Sequence, residues 1–256
     1  MNLRPAPFIL LLALPLSSCR QRPSSATPDV SPTVSSASSS NPSNVGGISG
    51  VVTFTGHAPP RVRLDVSADP GCNRANLPAF TEQIVVTNHN LANVFVYLKS
   101  GAPDQIAPAG SPSVVVDQRG CRYIPHVVAV QQGGAVEFVN SDATVHNITT
   151  LPTQPGNPTV NFSQSANSAP HSEIFKHPEV MLPVRCRHHP WMNALINVAP
   201  NAWFDVTSSD GAFHIAGIPP GVYTLAAVQE KLGEQDVQVT VAPGTVAQVN
   251  FTFPAR

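Results

Sequence analysis

Charged side chains are scarce in this sequence: Asp, Glu, Lys and Arg make up 11% of 256 residues, and the formal net charge is -1. So weak a field gathers neither phosphate backbones nor anionic headgroups, which excludes nucleic acid as a partner. Helical periodicity is missing as well, since no long stretch repeats apolar residues at three- and four-residue spacing. There is no phosphate-cradling glycine loop or dinucleotide fingerprint. Gly47-Ile48-Ser49-Gly50-Val51 approaches a nucleophile elbow but lacks the closing glycine and lies in a strand pattern. Asp104, Asp117 and Glu173 are scattered and form no acid–base pair. The sequence is therefore not expected to be an enzyme.

What is present is proline, 27 residues of it, together with 42% hydrophobic residues. That combination of many turns with core-forming side chains points to an all-β protein. Short runs rich in Val, Ile, Phe, Tyr and Thr predict strands at 48–55, 84–87, 94–98, 114–116, 127–130, 135–140, 180–185 and 195–198. The polar stretch 154–169 reads as a long loop with room for a short helix or lid. Turns at Ser209-Asp210-Gly211 and Pro219-Pro220-Gly221 separate strands expected at 212–216, 222–228, 237–241 and 246–253.

The N-terminus has the layout of a secretory signal over 1–18: Arg4, then an apolar run over 6–16, then small residues. The run is too short to span a bilayer as a mature helix. Leu16-Ser17-Ser18-Cys19 resembles a bacterial lipobox. The resemblance implies lipidation of Cys19, export to the bacterial cell envelope and a membrane tie through the N-terminal lipid. Arg20, in place of the Asp that retains such lipoproteins at the inner membrane, implies the outer membrane facing the periplasm. Residues 19–45 are Ser, Pro, Thr and Ala with almost no large apolar side chain, the composition of a disordered, flexible tether.

With Cys19 lipidated, Cys72, Cys121 and Cys186 remain of the four cysteines. An odd count in an oxidising compartment suggests one disulfide and one special thiol. Cys186 has its own explanation, so Cys72 is paired with Cys121.

That explanation is the run Cys186-Arg187-His188-His189-Pro190-Trp191-Met192, which places a thiol, an imidazole and a thioether in one loop after a strand. Upstream, the alternating strand at 135–140 leads through Ser141-Asp142-Ala143-Thr144-Val145 to His146-Asn147. Two imidazoles, a thiolate and a weak axial thioether form the donor set of copper electron-transfer sites, whereas zinc has little use for a thioether. Neighbours in an extended loop point apart, so only one of His188 and His189 reaches a given ion, and spacing favours His189. His126 is assigned a structural role near the disulfide. His171 and His177 sit in loops, and His57, His89 and His214 have no companions.

The run Cys-x-x-His-Pro-aromatic-Met is similar to the ligand loop of amicyanin-like and plastocyanin-like cupredoxins, and 138–147 is similar to the strand and loop bearing their first His. The resemblance covers roughly residues 125–200. It implies His146, Cys186 and His189 as equatorial ligands of one copper ion cycling between Cu(I) and Cu(II), with Met192 axial. Asn147 would tie the ligand loops together, and the edge of His189 would serve as the electron port to a redox partner protein in the envelope. Trp191 stands where the family usually has Phe. The segments 210–215 and 217–225 resemble a carboxypeptidase regulatory-like, prealbumin-like sandwich, whose first strand often begins like Ile48-Ser49-Gly50-Val51-Val52.

The expected organisation is a cupredoxin-like Greek-key domain over 46–200 and a small prealbumin-like sandwich over 201–256, with 46–63 a candidate piece of the latter, in which case the sandwich is discontinuous and the copper domain is inserted into it. The expected function is type 1 copper electron transfer. The rivals are a copper-handling lipoprotein without an electron-carrier role and an envelope structural or adhesion module with a structural metal.

Overall fold

The computed structural model describes residues 44–73 and 78–255. The signal over 1–18, Cys19 and the tether up to residue 43 lie outside the described residues. Within the described residues the fold is all-β, and its one regular helical element is a 3-10 turn at Pro70–Asn73.

The strands fall into three blocks along the chain. The first holds β1 (Gly46–Thr55), β2 (Val86–Thr87), β3 (Asn90–Leu91) and β4 (Phe95–Ser100). The second holds β5 (Val114–Gln118), β6 (Tyr123–Ile124), β7 (Val127–Gln131), β8 (Ala135–Asn140), β9 (His146–Thr150), β10 (Asn161–Gln164), β11 (His171–Ile174), β12 (Glu179–Arg185) and β13 (Asn193–Ala199). The third holds β14 (Phe204–Val206), β15 (Ala212–Ile218), β16 (Gly221–Gln229), β17 (Gly233–Val241), β18 (Val246–Gln248) and β19 (Phe251–Pro254).

The middle block pairs within itself, as sheets β11-β8-β5-β6 and β10-β9-β12-β13-β7. The outer blocks pair with each other, as β15-β1-β3-β2 with β18 and β19 on β1, and as β14-β4-β16-β17. The pairing of β1 agrees with the candidate placement of 46–63 in the C-terminal sandwich, whereas a plain division at 46–200 and 201–256 does not describe it. Residues 46–55 and 86–100 belong with the C-terminal strands, and the middle block is inserted between β4 and β14. The run at 48–55 carries its likeness to a regulatory-like first strand, whereas the run at 94–98 marks a strand without saying which strands it pairs with.

Each pair of sheets encloses its own core. In the inserted sandwich Val136 and Phe138 alternate inward along β8 and meet Ile148, Leu182 and Ile196 from the facing sheet. In the other, Ile48, Val52 and Phe54 of β1 meet Val96 and Leu98 of β4 and Leu225 of β16. Strands β4 and β16 are buried on both faces, because their second face (Phe95, Tyr97, Ala226, Val228) packs toward Ala129 and Ala199 of the inserted sandwich. That double burial erases the usual alternation. His126 bridges the same junction, with Nε2 3.2 Å from Glu230 Oε2 and Nδ1 3.2 Å from the Asn193 carbonyl oxygen. Its structural role thus lies between the sandwiches.

Two local departures from the sequence expectations have clear causes. The strand expected at 246–253 is broken into β18 and β19, because the Val249 carbonyl closes on Gly50 and a Cβ there would lie 1.5 Å from that oxygen. Asn250 Oδ1 accepts the Val51 N–H at 2.8 Å and replaces the interrupted ladder. The loop expected over 154–169 contains β10, which pairs with β9, and has no helix. Asn161 and Ser163 face out of this edge strand, so its composition reads as polar.

Candidate metal centre

Three connections at one end of the inserted sandwich bring the donors together: β5–β6, β8–β9 and β12–β13. His146 opens β9 and is fully buried. Cys186 and His189 lie in the loop after β12, both buried, and Met192 closes that loop with its side chain in the same buried cluster as Cys186. The loop is held by its own backbone: Met192 N–H donates to the His189 carbonyl at 2.9 Å, and Cys186 N–H donates to the Met192 carbonyl at 3.2 Å. His188 is exposed, as spacing led us to expect.

The two rings face each other through Nδ1, with His146 Nδ1 3.1 Å from His189 Nδ1. Cys186 Sγ lies 3.6 Å from His189 Nδ1, and the ligand atoms of His146, Cys186 and His189 all fall within 4.8 Å of one another. Bonds of about 2.0–2.3 Å to nitrogen and sulfur put the donors of one ion at roughly such spacings. Asn147 does tie the loops, but through its backbone: its N–H donates to Cys186 Sγ at 3.4 Å. Its side chain instead donates to Asn161 Oδ1 and the Phe162 carbonyl, anchoring β10.

Two carboxylates that the sequence reading passed over fix the rings. His146 Nε2 donates to Asp142 Oδ2 at 2.8 Å, and His189 Nε2 donates to Asp69 Oδ2 at 3.0 Å. Holding the proton on Nε2 leaves Nδ1 of each ring with a lone pair for a metal, and such partners orient the ring and raise its basicity. Asp142 is itself pinned by the N–H groups of Gly120 at 2.7 Å and Cys121 at 2.8 Å, which successive left-handed residues (φ 60° and 53°) turn toward it. Thr144 Oγ1 donates to Asp69 at 2.7 Å. Asp142 was findable as the acid four residues before His146. Asp69 had no signal beyond its place near Cys72.

The site's electrostatics favour a thiolate. Burial pushes the Cys186 thiol up, but hydrogen bonds from His146, the Asn147 N–H and His189 outweigh it and bring it down to about 6. Burial pushes the His146 ring down, but Asp142 and Cys186 outweigh it and raise it to about 8. Burial likewise raises Asp142, and its bonds to His146 and the Cys121 and Gly120 amides carry it below the usual carboxylate value.

Cys72 and Cys121 form the expected disulfide, with Cα atoms 5.2 Å apart and a sequence separation of 49. In the chain-entropy model a loop of that length is worth about 4 kcal/mol. The bond fastens the segment between β1 and β2 over the site, and that segment is folded back on itself by Leu64 N–H to Ala79 O and Thr81 N–H to Val62 O. Its consequence contradicts the expected electron port. His189 is 3% exposed, with Asp69 and Cys72 at its Nε2 edge, so no ligand edge reaches the surface there. The half-buried Trp191 is tied to the same structure, its indole N–H donating to the Cys121 carbonyl at 3.1 Å.

The donor chemistry fits copper: two imidazole nitrogens and a thiolate in a buried cluster, with a buried thioether in the same loop. Among solved structures the chain is similar to a copper-containing nitrite reductase of Thermus scotoductus SA-01, at 23% identity over 37% of this chain and 25% of that one, with a TM-score of 0.31. It is also similar to a Cu(I) form of an amicyanin variant, at 20% identity over 40% of this chain and 97% of that one, with a TM-score of 0.31. The matched region spans about a quarter of the reductase. At these overlay scores the likenesses carry no weight beside the site's own donors. No family model and no curated protein matches the chain.

Proposed function

We propose that this chain is a type 1 copper protein of the bacterial cell envelope, exported, lipid-anchored through Cys19, and passing electrons to a partner protein without bond chemistry of its own. The observation that carries the proposal is the convergence of His146 Nδ1, His189 Nδ1 and Cys186 Sγ, with each Nε2 held by a carboxylate. A bound copper ion would supply a one-electron Cu(I)/Cu(II) couple. His146, Cys186, His189 and Met192 would hold it. The protein's share is rigidity: Asp142 and Asp69 fix the rings, the Asn147 N–H fixes the sulfur, and the disulfide holds the covering segment in place, which keeps reorganisation small. With the His189 edge covered, the surface route shifts to Trp191, whose ring centroid lies 5.3 Å from that of His189. Trp191 lines a cavity of about 150 Å³ together with Met192 and His126. The discontinuous second sandwich, with its turns at Asp210-Gly211 and Pro219-Pro220-Gly221, supports a carboxypeptidase regulatory-like module.

The buried His189 also favours a second reading, in which the protein holds and delivers copper. Loading one equivalent of Cu(II), reducing it with ascorbate and adding a Cu(I) chelator separates the two. Electron carriage requires that the copper stay bound and reoxidise reversibly. Prompt loss of Cu(I) to the chelator would establish delivery instead.

A further inference from the structure

The proposed copper site uses the inner edges of the two histidine rings, and the disulfide lies against their outer edges. Cys72 Sγ is 3.6 Å from His189 Nε2, and Cys121 Sγ is 4.0 Å from the same atom and 3.9 Å from His146 Nε2. Cys72, Cys121 and His189 are all buried, and their ligand atoms lie within 4.8 Å of one another. A structural disulfide needs no imidazole at both of its sulfurs. Once the bond between them is broken, two thiolate sulfurs beside an imidazole nitrogen are soft donors of the kind that select Cu(I).

We propose that the disulfide is a masked second metal site: once reduced, Cys72 and Cys121 bind a Cu(I) ion with His189 Nε2 as third donor. A dithiol reductant supplies two electrons and two protons. The Sγ–Sγ bond breaks, two thiols form, and the reductant closes its own disulfide. Binding then releases one proton from each thiol, and the proton on His189 Nε2, now directed at Asp69, moves to Nδ1 when the inner site is empty and is released when copper occupies it. The ring of His189 then spans both sites, Nδ1 to the inner and Nε2 to the outer. The inference rests on the proposed inner site only through that shared ring. It makes the protein's copper capacity depend on the thiol redox state around it.

The test uses the full chain carrying Cys19→Ser and Cys186→Ser, so that the inner thiolate is gone and the outer pair is the one thiol source. Cu(I) is titrated against a competing chelator before and after reduction by a dithiol, with near-ultraviolet circular dichroism recorded throughout. The proposal expects one equivalent bound after reduction, none before, and a native dichroism spectrum. Adding His189→Gln is expected to weaken the reduced form's binding by about tenfold or more. Absence of binding, indifference to His189→Gln, or loss of the native spectrum on reduction overturns it. Because Cys186 is absent, none of these outcomes depends on whether the inner site is of type 1.

Discussion

Cys186→Ser is expected to abolish the intense visible band of the copper-loaded protein and to weaken copper binding by more than about 100-fold. The scale follows from losses at outer partners, which already cost about 10–100-fold in affinity; a donor that bonds the ion directly costs more. The band requires a thiolate, and Cys186 is the free thiol among the described residues. Serine keeps the bulk but holds its proton at neutral pH, where the Cys186 thiol, at about 6, has lost it. Absorption and equilibrium dialysis of the loaded variant check both parts. A variant that keeps the band assigns the colour to another group and removes Cys186 from the site.

A fragment of residues 201–256 is expected not to fold by itself. In the whole chain β15 pairs with β1, and β16 lies between β4 and β17. The fragment loses both partners, and with them Ile48, Val52, Phe54, Leu91, Val94, Val96 and Leu98 from its core. At about 1.5–3 kcal/mol per buried large side chain, the loss is roughly 10–20 kcal/mol, as large as the whole stability of an ordinary domain, about 5–15 kcal/mol. Circular dichroism and amide proton dispersion are the measurements. A cooperative unfolding transition in the fragment would show that the C-terminal strands form a closed domain of their own and that the pairing with β1 and β4 is incidental.

The fold class and most strands were legible because one-sided burial leaves a two-residue alternation, as along β8, where Val136, Phe138 and Asn140 point inward. The insertion was suggested only by the likeness of Ile48-Ser49-Gly50-Val51-Val52 to a regulatory-like first strand, and the place of 86–100 in the same sandwich was hidden. Alternation reports a face and not a neighbour, and β4, buried on both faces, lost even that. The candidate donors stood out as a group because Cys186, His189 and Met192 sit within seven residues, so chemistry and spacing coincide. The carboxylates did not. Asp69 comes from a segment 120 residues away from His189 along the chain, and only the backtracking segment and the disulfide bring it there. The same covering segment explains the failure of the expected His189 port. A ligand beside Pro190 and Trp191 looks surface-bound in a sequence, and nothing local announces that residues near Cys72 lie over it. The pairing of Cys72 with Cys121, read by elimination, was right, while its position against both histidine rings was visible only in three dimensions.

We propose a type 1 copper site at His146, Cys186, His189 and Met192. Its most direct test is to add one equivalent of Cu(II) to the disulfide-intact protein and record visible absorption with electron paramagnetic resonance. An intense thiolate charge-transfer band with a narrow copper hyperfine pattern is the expected result. No binding, or a colourless tetragonal site with wide hyperfine splitting, would contradict it.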